Sequence, residues 1–454
     1  MSKIAVIGGG ISGLAAAHYL KNQNHEVSLF EASDRLGGAI RTIRYESQIM
    51  EAGPDSFLVG KPAAIELAKE LEIDLVPSCA VGPPSVVKNG RLLPLPEGFR
   101  LLAPTRLIPF ALSRLVSLKG KIRAAAELII SKRNQESDES VADFVTRRFG
   151  REILEALAQP LIGGIYSADP AQLSLQATFP FLSRMEKSHG SVTKGMLKSL
   201  SGQSRGKPRS MFCAPRSGMG ALVERLQKSI GSSSIHLSSP ICAIRRQNGQ
   251  WILEREGSEQ SYDGIILACP AYRAAQLLTS LDGELAQGLH SVPYTTTAVC
   301  HILVRENQIT LPLEGSGFVV PHVEGLDITA CTYAHRKYPG RAGHHSGLLR
   351  VHLGGKLNQE VLDQSDEQLQ TTALESLRPL IGLKGPIQRS WLVRHQRVVP
   401  QYAVGHMLLR ERLEERLQGL HGLALAGNGL HGVGLADCVL RAKNAARNVH
   451  RQVS

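Results

Sequence analysis

The run Gly8-Gly9-Gly10-Ile11-Ser12-Gly13 and the carboxylate of Glu31, 18 residues after Gly13, are the first residues whose type and spacing suggest chemistry. In G-x-G-x-x-G each glycine has a mechanical task. The first makes the tight turn, the second lets backbone approach a pyrophosphate, and the third lets a helix pack on a strand. The pyrophosphate then rests on unpaired N–H groups at the helix start, where the dipole favours an anion. An acid at the end of the next strand is placed to accept hydrogen bonds from ribose hydroxyls. Far along the chain, Ala426-Gly427-Asn428 and Gly432-Val433-Gly434-Leu435-Ala436-Asp437-Cys438 form a second glycine-rich stretch leading into a helical pattern. Backbone amides at such a helix start can bond the polar edge of a bound ring and hold negative charge there. His406, His421 and His431 read as polar loop residues rather than catalytic ones. The sequence has no His-Glu-x-x-His, no Walker loop and no paired-carboxylate signature. Its seven cysteines are widely spaced with no Cys-x-x-Cys, so neither a metal site nor a redox disulfide is expected.

These motifs need a strand before the turn, a helix after it, and a second strand ending at Glu31. The apolar runs 3–7 and 27–30 and the alanine-rich helical pattern 14–20 supply them, at the length of a β-α-β dinucleotide-binding half. Another helical pattern occupies 63–71. Between about 97 and 200 the pattern is helical: Phe99, Leu107, Ile108, Phe110 and Leu112 sit among Arg100, Arg106 and Arg114, and further helices are expected at 122–130 and 141–158. From about 236 strands dominate, at 241–244, 251–255, 265–268, 298–304, 317–320, 328–332 and 348–352. A last strand at 423–426 precedes a helix from Leu435. The expected fold is α/β. A discontinuous Rossmann-like domain draws on 1–75, 205–285 and 395–454, a mixed-sheet substrate domain on 76–95 and 286–394, and a helical, membrane-contacting insertion fills 96–204.

A chain of 454 residues with 43% hydrophobic and 20% charged residues is long enough to bury a large core in two or three regions. The 52 Lys+Arg against 40 Asp+Glu give +12, which favours acidic partners. The basic residues are scattered rather than gathered into a stripe, so nucleic acid is not expected; a polycarboxylate small molecule or an anionic membrane surface fits the sign. No apolar run reaches the roughly 20 residues that span a bilayer, and no secretory signal opens the chain. A cytoplasmic protein that can lie peripherally at the inner face of the membrane is expected.

The segment Glu31-Ala32-Ser33-Asp34-Arg35-Leu36-Gly37-Gly38 resembles the loop by which glutathione-reductase-type and amine-oxidase-type flavoproteins cover a pyrophosphate, which implies FAD rather than NAD. Further stretches resemble the oxygen-dependent porphyrinogen oxidases of haem synthesis over essentially the whole length. They are Gly53-Pro54-Asp55-Ser56-Phe57-Leu58, Gly163-Gly164-Ile165-Tyr166-Ser167-Ala168-Asp169, Pro400-Gln401-Tyr402 with Gly405-His406, and Gly432 to Cys438. The resemblance implies FAD contacts at Gly8, Gly9, Gly10, Ile11, Ser12, Gly13, Glu31, Ala32, Ala39, Gly53, Pro54, Asp55, Ser56, Ile241, Val433, Gly434 and Leu435, with backbone at Ile241 meeting the adenine. It gives Gly164 the catalytic position, where a backbone carbonyl holds the macrocycle near flavin N5 and the missing side chain permits close approach. Where the family carries a Trp beside the flavin, this chain has His395. Val319, Thr332 and His352 match the substrate walls, and Arg100 matches an arginine that pairs a propionate, although a solvated or headgroup-facing charge reads equally well there. The implied activity is oxidation of coproporphyrinogen III, with dioxygen as acceptor giving hydrogen peroxide. Protoporphyrinogen IX is the alternative substrate, and association with other haem-pathway enzymes is expected. An amine oxidase or desaturase on the same scaffold, and a non-catalytic flavin-binding assembly factor, are the remote alternatives.

Overall fold

The computed structural model describes residues 1–100, 103–135, 137–201 and 210–454. Its first layer is a five-stranded parallel sheet ordered Ile235–His236, Glu26–Phe30, Lys3–Ile7, Gly264–Leu267, Leu423–Leu425. Segments near both ends of the sequence therefore share one sheet, as a discontinuous dinucleotide-binding fold requires. Residues 4–7 and 264–267 of the central strands are buried and apolar because both faces are covered. Ile4, Val6 and Ile266 pack into a core with helices Ile11–Lys21 and Leu435–Val453. Ala5, Ile7, Ile265 and Leu267 face the other way, towards Trp251, Leu278 and Leu285.

A seven-stranded mixed sheet forms the second layer, in the order Arg389–Pro400, Tyr294–Arg305, Ser346–Gly354, Ile328–Tyr333, Gly317–Val319, Ser85–Lys88, Arg91–Pro94. The two-residue period of a strand gives its faces different jobs. Cys300, Ile302, Cys331, Leu349, Val351 and Leu353 turn to helix Asp366–Ile381, which presents Leu369, Ala373 and Leu377 at four-residue intervals. That helix starts at Ser365, whose hydroxyl caps Gln368 N–H while the Gln368 side chain returns to the Ser365 N–H at 2.9 Å. The opposite face carries Val299, His301, Val319, Thr332, Arg350 and His352.

The helical region departs from expectation in two places. Residues 141–158 do not form one helix: Val141–Phe149 stops at Gly150, whose φ of +95° few other residues adopt, and Arg151–Ile153, a π turn Leu154–Ala158 and helix Gln159–Tyr166 follow. Residues 97–100 and 103–104 are not helical either, because Phe99–Arg100 and Ala103–Pro104 pair as a short antiparallel ribbon that places Phe99 against Phe110. Residues 101 and 102 and the side chain of Arg100 lie outside the described part, so the expected propionate contact has no geometry here. The helix expected at 122–130 runs Leu118–Ala125 with a 3-10 turn Ala126–Leu128.

Candidate functional site

The glycine turn has the shape its sequence implies. Gly8 has φ +112°, and a Cβ there would lie 2.8 Å from Ala268 O; a Cβ on Gly13 would lie 1.8 Å from Gly8 O. Gly10 differs, since a Cβ there would meet nothing within 4 Å. Gly10 is the N-cap of helix Ile11–Lys21, with no side-chain cap and no acid in the first turn, so the helix start is left open to an anion. The Glu31 carboxylate stands at its mouth, accepting from Gly9 N–H at 2.6 Å and from the N–H and hydroxyl of Ser33 at 2.8 and 2.7 Å. Ser239 N–H donates to Glu31 O at 2.8 Å, which brings the start of strand Ile241–Gln247, and Ile241 itself, to the same rim.

From this cradle the expected contacts continue as one band. Gly37 N–H donates to Gly9 O at 2.8 Å, and Arg35 staples its own loop through Gly38 O at 2.7 Å, which leaves Ala32 and Ala39 flanking the turn. Gly53 sits so close to Ala39 that a Cβ would come within 1.8 Å of Ala39 O, so the segment Gly53, Pro54, Asp55, Ser56 lies against the cradle. On its other side that segment is fastened to the seven-stranded sheet. Arg350 donates to Gly53 O, the His395 ring pairs with Ala52 O at 2.7 Å, and the His301 ring with Glu51 O at 3.1 Å. The distal loop closes the band. A Cβ on Gly427 would lie 4.0 Å from Ser12 Oγ, and helix Leu435–Val453 begins at Gly434 without a side-chain cap, next to Val433 and Leu435. An open helix start, glycine backbones at each close approach and a carboxylate at the mouth of the turn suit an FAD molecule. Glu31, Gly10 and the Ile11–Gly13 backbone would hold its dinucleotide half, and residues 53–56 and 433–435 its ring.

The proposed substrate residues meet on the sheet face beyond this band. Thr332 pairs across strands with Gly317 and Arg350, while Ala330 pairs with Val319 and His352; period two puts all of these on one face. Helix Gln159–Tyr166 lies over that face. Gly164 is exposed on it, and outside its own helix a Cβ there would find only Val319 Cγ1, at 3.7 Å. The helix is held by Gln401, whose amide donates to Tyr166 O at 3.1 Å, while the neighbouring Tyr402 hydroxyl donates to Asn428 O of the distal loop. The structure thus brings together Gly164, Val319, Thr332 and His352.

The electrostatics of this face are set by Asp55 together with three groups that sequence reasoning did not place in the site, Lys337, Arg350 and His301. Burial pushes the Asp55 carboxyl up, but Lys337 Nζ at 2.7 Å and the Arg350 guanidinium at 3.4 Å outweigh it and hold the group ionised far below the usual carboxylate range. Burial, with Arg350 nearby, pushes His301 down to about 3 and His352 well below its usual value; His395 is lowered for the same reasons. All three imidazoles are neutral at physiological pH. His406, His421 and His431 lie elsewhere: His406 pairs with Leu430 O at 3.0 Å, His421 O accepts from Trp251 Nε1, and His431 meets Glu414 at 2.6 Å. Arg350 had a sequence signal, its two-residue spacing from His352 on one strand; Lys337 had none.

A cradle for an anionic dinucleotide beside a sheet face that carries Val319, Thr332 and His352 is the arrangement of a flavin-dependent oxidoreductase. The chain belongs to the flavin containing amine oxidoreductase family, which it matches over residues 11–450. It is 34% identical to coproporphyrinogen III oxidase of Bacillus subtilis (strain 168), over 97% of this chain and 96% of that one. It is 30% identical to protoporphyrinogen oxidase of Bos taurus, over 98% of each. Among solved structures, one from Exiguobacterium sp. 255-15, assigned provisionally as a protoporphyrinogen oxidase, superposes with a TM-score of 0.89 at 31% identity over 99% of both chains. Cyclohexylamine oxidase from Brevibacterium oxydans IH-35A shares the fold, with a TM-score of 0.72 at 16% identity over 100% of this chain and 99% of that one.

Proposed function

We propose that this flavoenzyme oxidises a porphyrinogen in haem formation, coproporphyrinogen III in preference to protoporphyrinogen IX, with dioxygen as final acceptor. The observation that carries this reading is the near full-length likeness to the Bacillus subtilis coproporphyrinogen III oxidase, together with the pocket face on which Gly164, Val319, Thr332 and His352 meet beside the cofactor cradle.

A bound flavin supplies the two-electron acceptor. The chain supplies placement. The exposed backbone of Gly164, bare of a side chain, allows a flat macrocycle to lie against it, with Val319, Thr332 and His352 lining the same site. His301, His352 and His395 stay unprotonated, so no imidazolium on this face competes for the substrate carboxylates. Thr332 and His352 favour coproporphyrinogen because a polar wall tolerates extra propionates that an apolar slot rejects through desolvation. In this reading Glu31 holds the ribose, the Gly8 to Gly13 backbone the pyrophosphate, and the 53–56 and 433–435 segments the ring.

Location follows from a different observation. Among the described residues no helix is long and apolar enough to cross a membrane. Yet Leu107, Ile108, Leu112, Leu118, Ile122 and Ile129 gather in one segment, from 55% exposed at Leu107 to 85% at Ile129, with Arg114 and Lys119 exposed among them. Such a patch suits the surface of an anionic bilayer, which the protein would touch without crossing.

The direct test mixes yellow, FAD-loaded protein with coproporphyrinogen III under anaerobic conditions. Bleaching of the flavin band with appearance of porphyrin fluorescence is expected; a flavin that stays oxidised refutes the reading.

A further inference from the structure

One buried cluster carries charge that the reading so far does not use. Asp55 comes from the loop beside the cradle, Lys337 from the short helix Ala334–Lys337, and Arg350 from the middle of strand Ser346–Gly354. Their side chains are only 18%, 13% and 9% exposed. Lys337 Nζ lies 2.7 Å from Asp55 and 3.3 Å from Ser56 Oγ, and Arg350 donates to Gly53 O and reaches Asp55 at 3.4 Å. Every backbone or side-chain acceptor in this set belongs to the segment 53–56. Arg350 Nε is buried without a partner, so its hydrogen-bonding capacity is not used up within the protein.

The charges do not cancel. Two cations face one carboxylate, and the three histidines around them, His301, His352 and His395, contribute no charge. The nearby Arg341 and Glu51 pair with each other at 3.6 Å and balance. One net positive charge therefore stands behind the segment that separates the cradle from the substrate face. A buried uncompensated charge is costly to a fold. It becomes useful where a neighbouring group gains negative charge during its working cycle, because the field is then already in place and little is spent on reorganisation.

We propose that Arg350 is a positioning residue which pins the 53–56 segment through Gly53 and Asp55 and, with Lys337, sets the reduction potential of the flavin by leaving one positive charge behind its ring. The proposal rests on the reading that this segment runs along the flavin. Arg350 makes no contact with substrate in this scheme; it acts through the loop and the field.

The experiment uses FAD-loaded protein and reads the flavin midpoint potential by spectroelectrochemical titration, with bound FAD measured by fluorescence. Arg350→Met removes a positive charge and should disfavour reduction about tenfold, a fall of about 30 mV for a two-electron couple. Arg350→Lys keeps the charge and should recover most of that shift. Asp55→Asn removes the negative charge and should move the potential upward. Lys337→Met, at the rim of the cluster, takes away the same charge as Arg350→Met without touching Gly53, and should lower the potential even if Arg350→Met fails to fold. Potentials that stay put, or that move in the same direction for Lys337→Met and Asp55→Asn, overturn the proposal. Ser56→Tyr separates the two levels of argument by planting an aromatic ring on the segment. A perturbed flavin absorption band with unmoved potentials overturns the electrostatic proposal alone. An unperturbed band shows that the segment does not run along the flavin, and the proposal falls with the site reading.

Discussion

Replacing Gly164 by alanine separates a folding requirement from a catalytic one. The new Cβ would meet Val319 Cγ1 at 3.7 Å, an ordinary van der Waals distance, and nothing else nearby outside its own helix. Gly164 lies inside helix Gln159–Tyr166, where alanine is favoured over glycine by roughly 0.5–1 kcal/mol. The protein alone should therefore become slightly more stable, with Tm raised by no more than a few degrees. Turnover should move the other way. The methyl group stands where the macrocycle rests on backbone, and a displacement of about 1 Å from a reactive geometry costs on the order of 100-fold. Gly163→Ala is the control, since its Cβ would face Gln159 Nε2 at 3.6 Å rather than Val319. The assay combines a thermal melt, bound-FAD content and porphyrin fluorescence with time for both variants. Unimpaired turnover in Gly164→Ala would refute stacking at this position, and a marked loss of stability would refute the packing argument.

Glu31→Ala should purify with far less FAD, because charge-assisted hydrogen bonds are worth roughly 1.5–3 kcal/mol. Glu31→Gln, which can still accept from Gly9 and Ser33, should keep more; normal FAD content in folded Glu31→Ala would remove Glu31 from the site. The buried histidines predict acid sensitivity. In the unfolded chain a histidine takes up its proton near pH 6.5, whereas burial holds His301 unprotonated down to about 3, so its contribution is complete above about pH 6.5 and declines as the pH falls towards 3. The slope is at most about 1.4 kcal/mol per pH unit for each such histidine, and urea unfolding at pH 7 and 5.5 measures it; equal stability at the two values contradicts the burial argument. The apolar patch predicts sedimentation with anionic liposomes at low salt, weakened by Leu112→Ser with Ile122→Ser; absence of binding makes the patch a surface for something other than lipid.

Features governed by neighbouring residues were legible in the sequence. The glycine turn, the acid ending the second strand and the apolar strands at 3–7 and 265–268 are local patterns, and the parallel sheet follows from them. Among the helices passed over in sequence, Asp366–Ile381 shows where attention to caps would have helped, since the Ser365 and Gln368 pair is readable at three-residue spacing. The break at Gly150 and the pairing of Phe99–Arg100 with Ala103–Pro104 depend on a positive φ and on packing of Phe99, which helical periodicity does not report. The charge cluster was least accessible. Arg350 and Gly53 are 297 positions apart and Lys337 and Asp55 are 282 apart, so only the folded sheet brings them together.

The central claim is best tested by aerobic turnover of coproporphyrinogen III and protoporphyrinogen IX side by side, following porphyrin fluorescence and hydrogen peroxide release in the same samples. The account predicts that both are oxidised by the FAD-loaded protein, with peroxide formed and a higher kcat/KM for coproporphyrinogen III. A higher kcat/KM for protoporphyrinogen IX would overturn the choice of substrate, and failure to oxidise either one would contradict the assignment of this flavoenzyme to porphyrinogen chemistry.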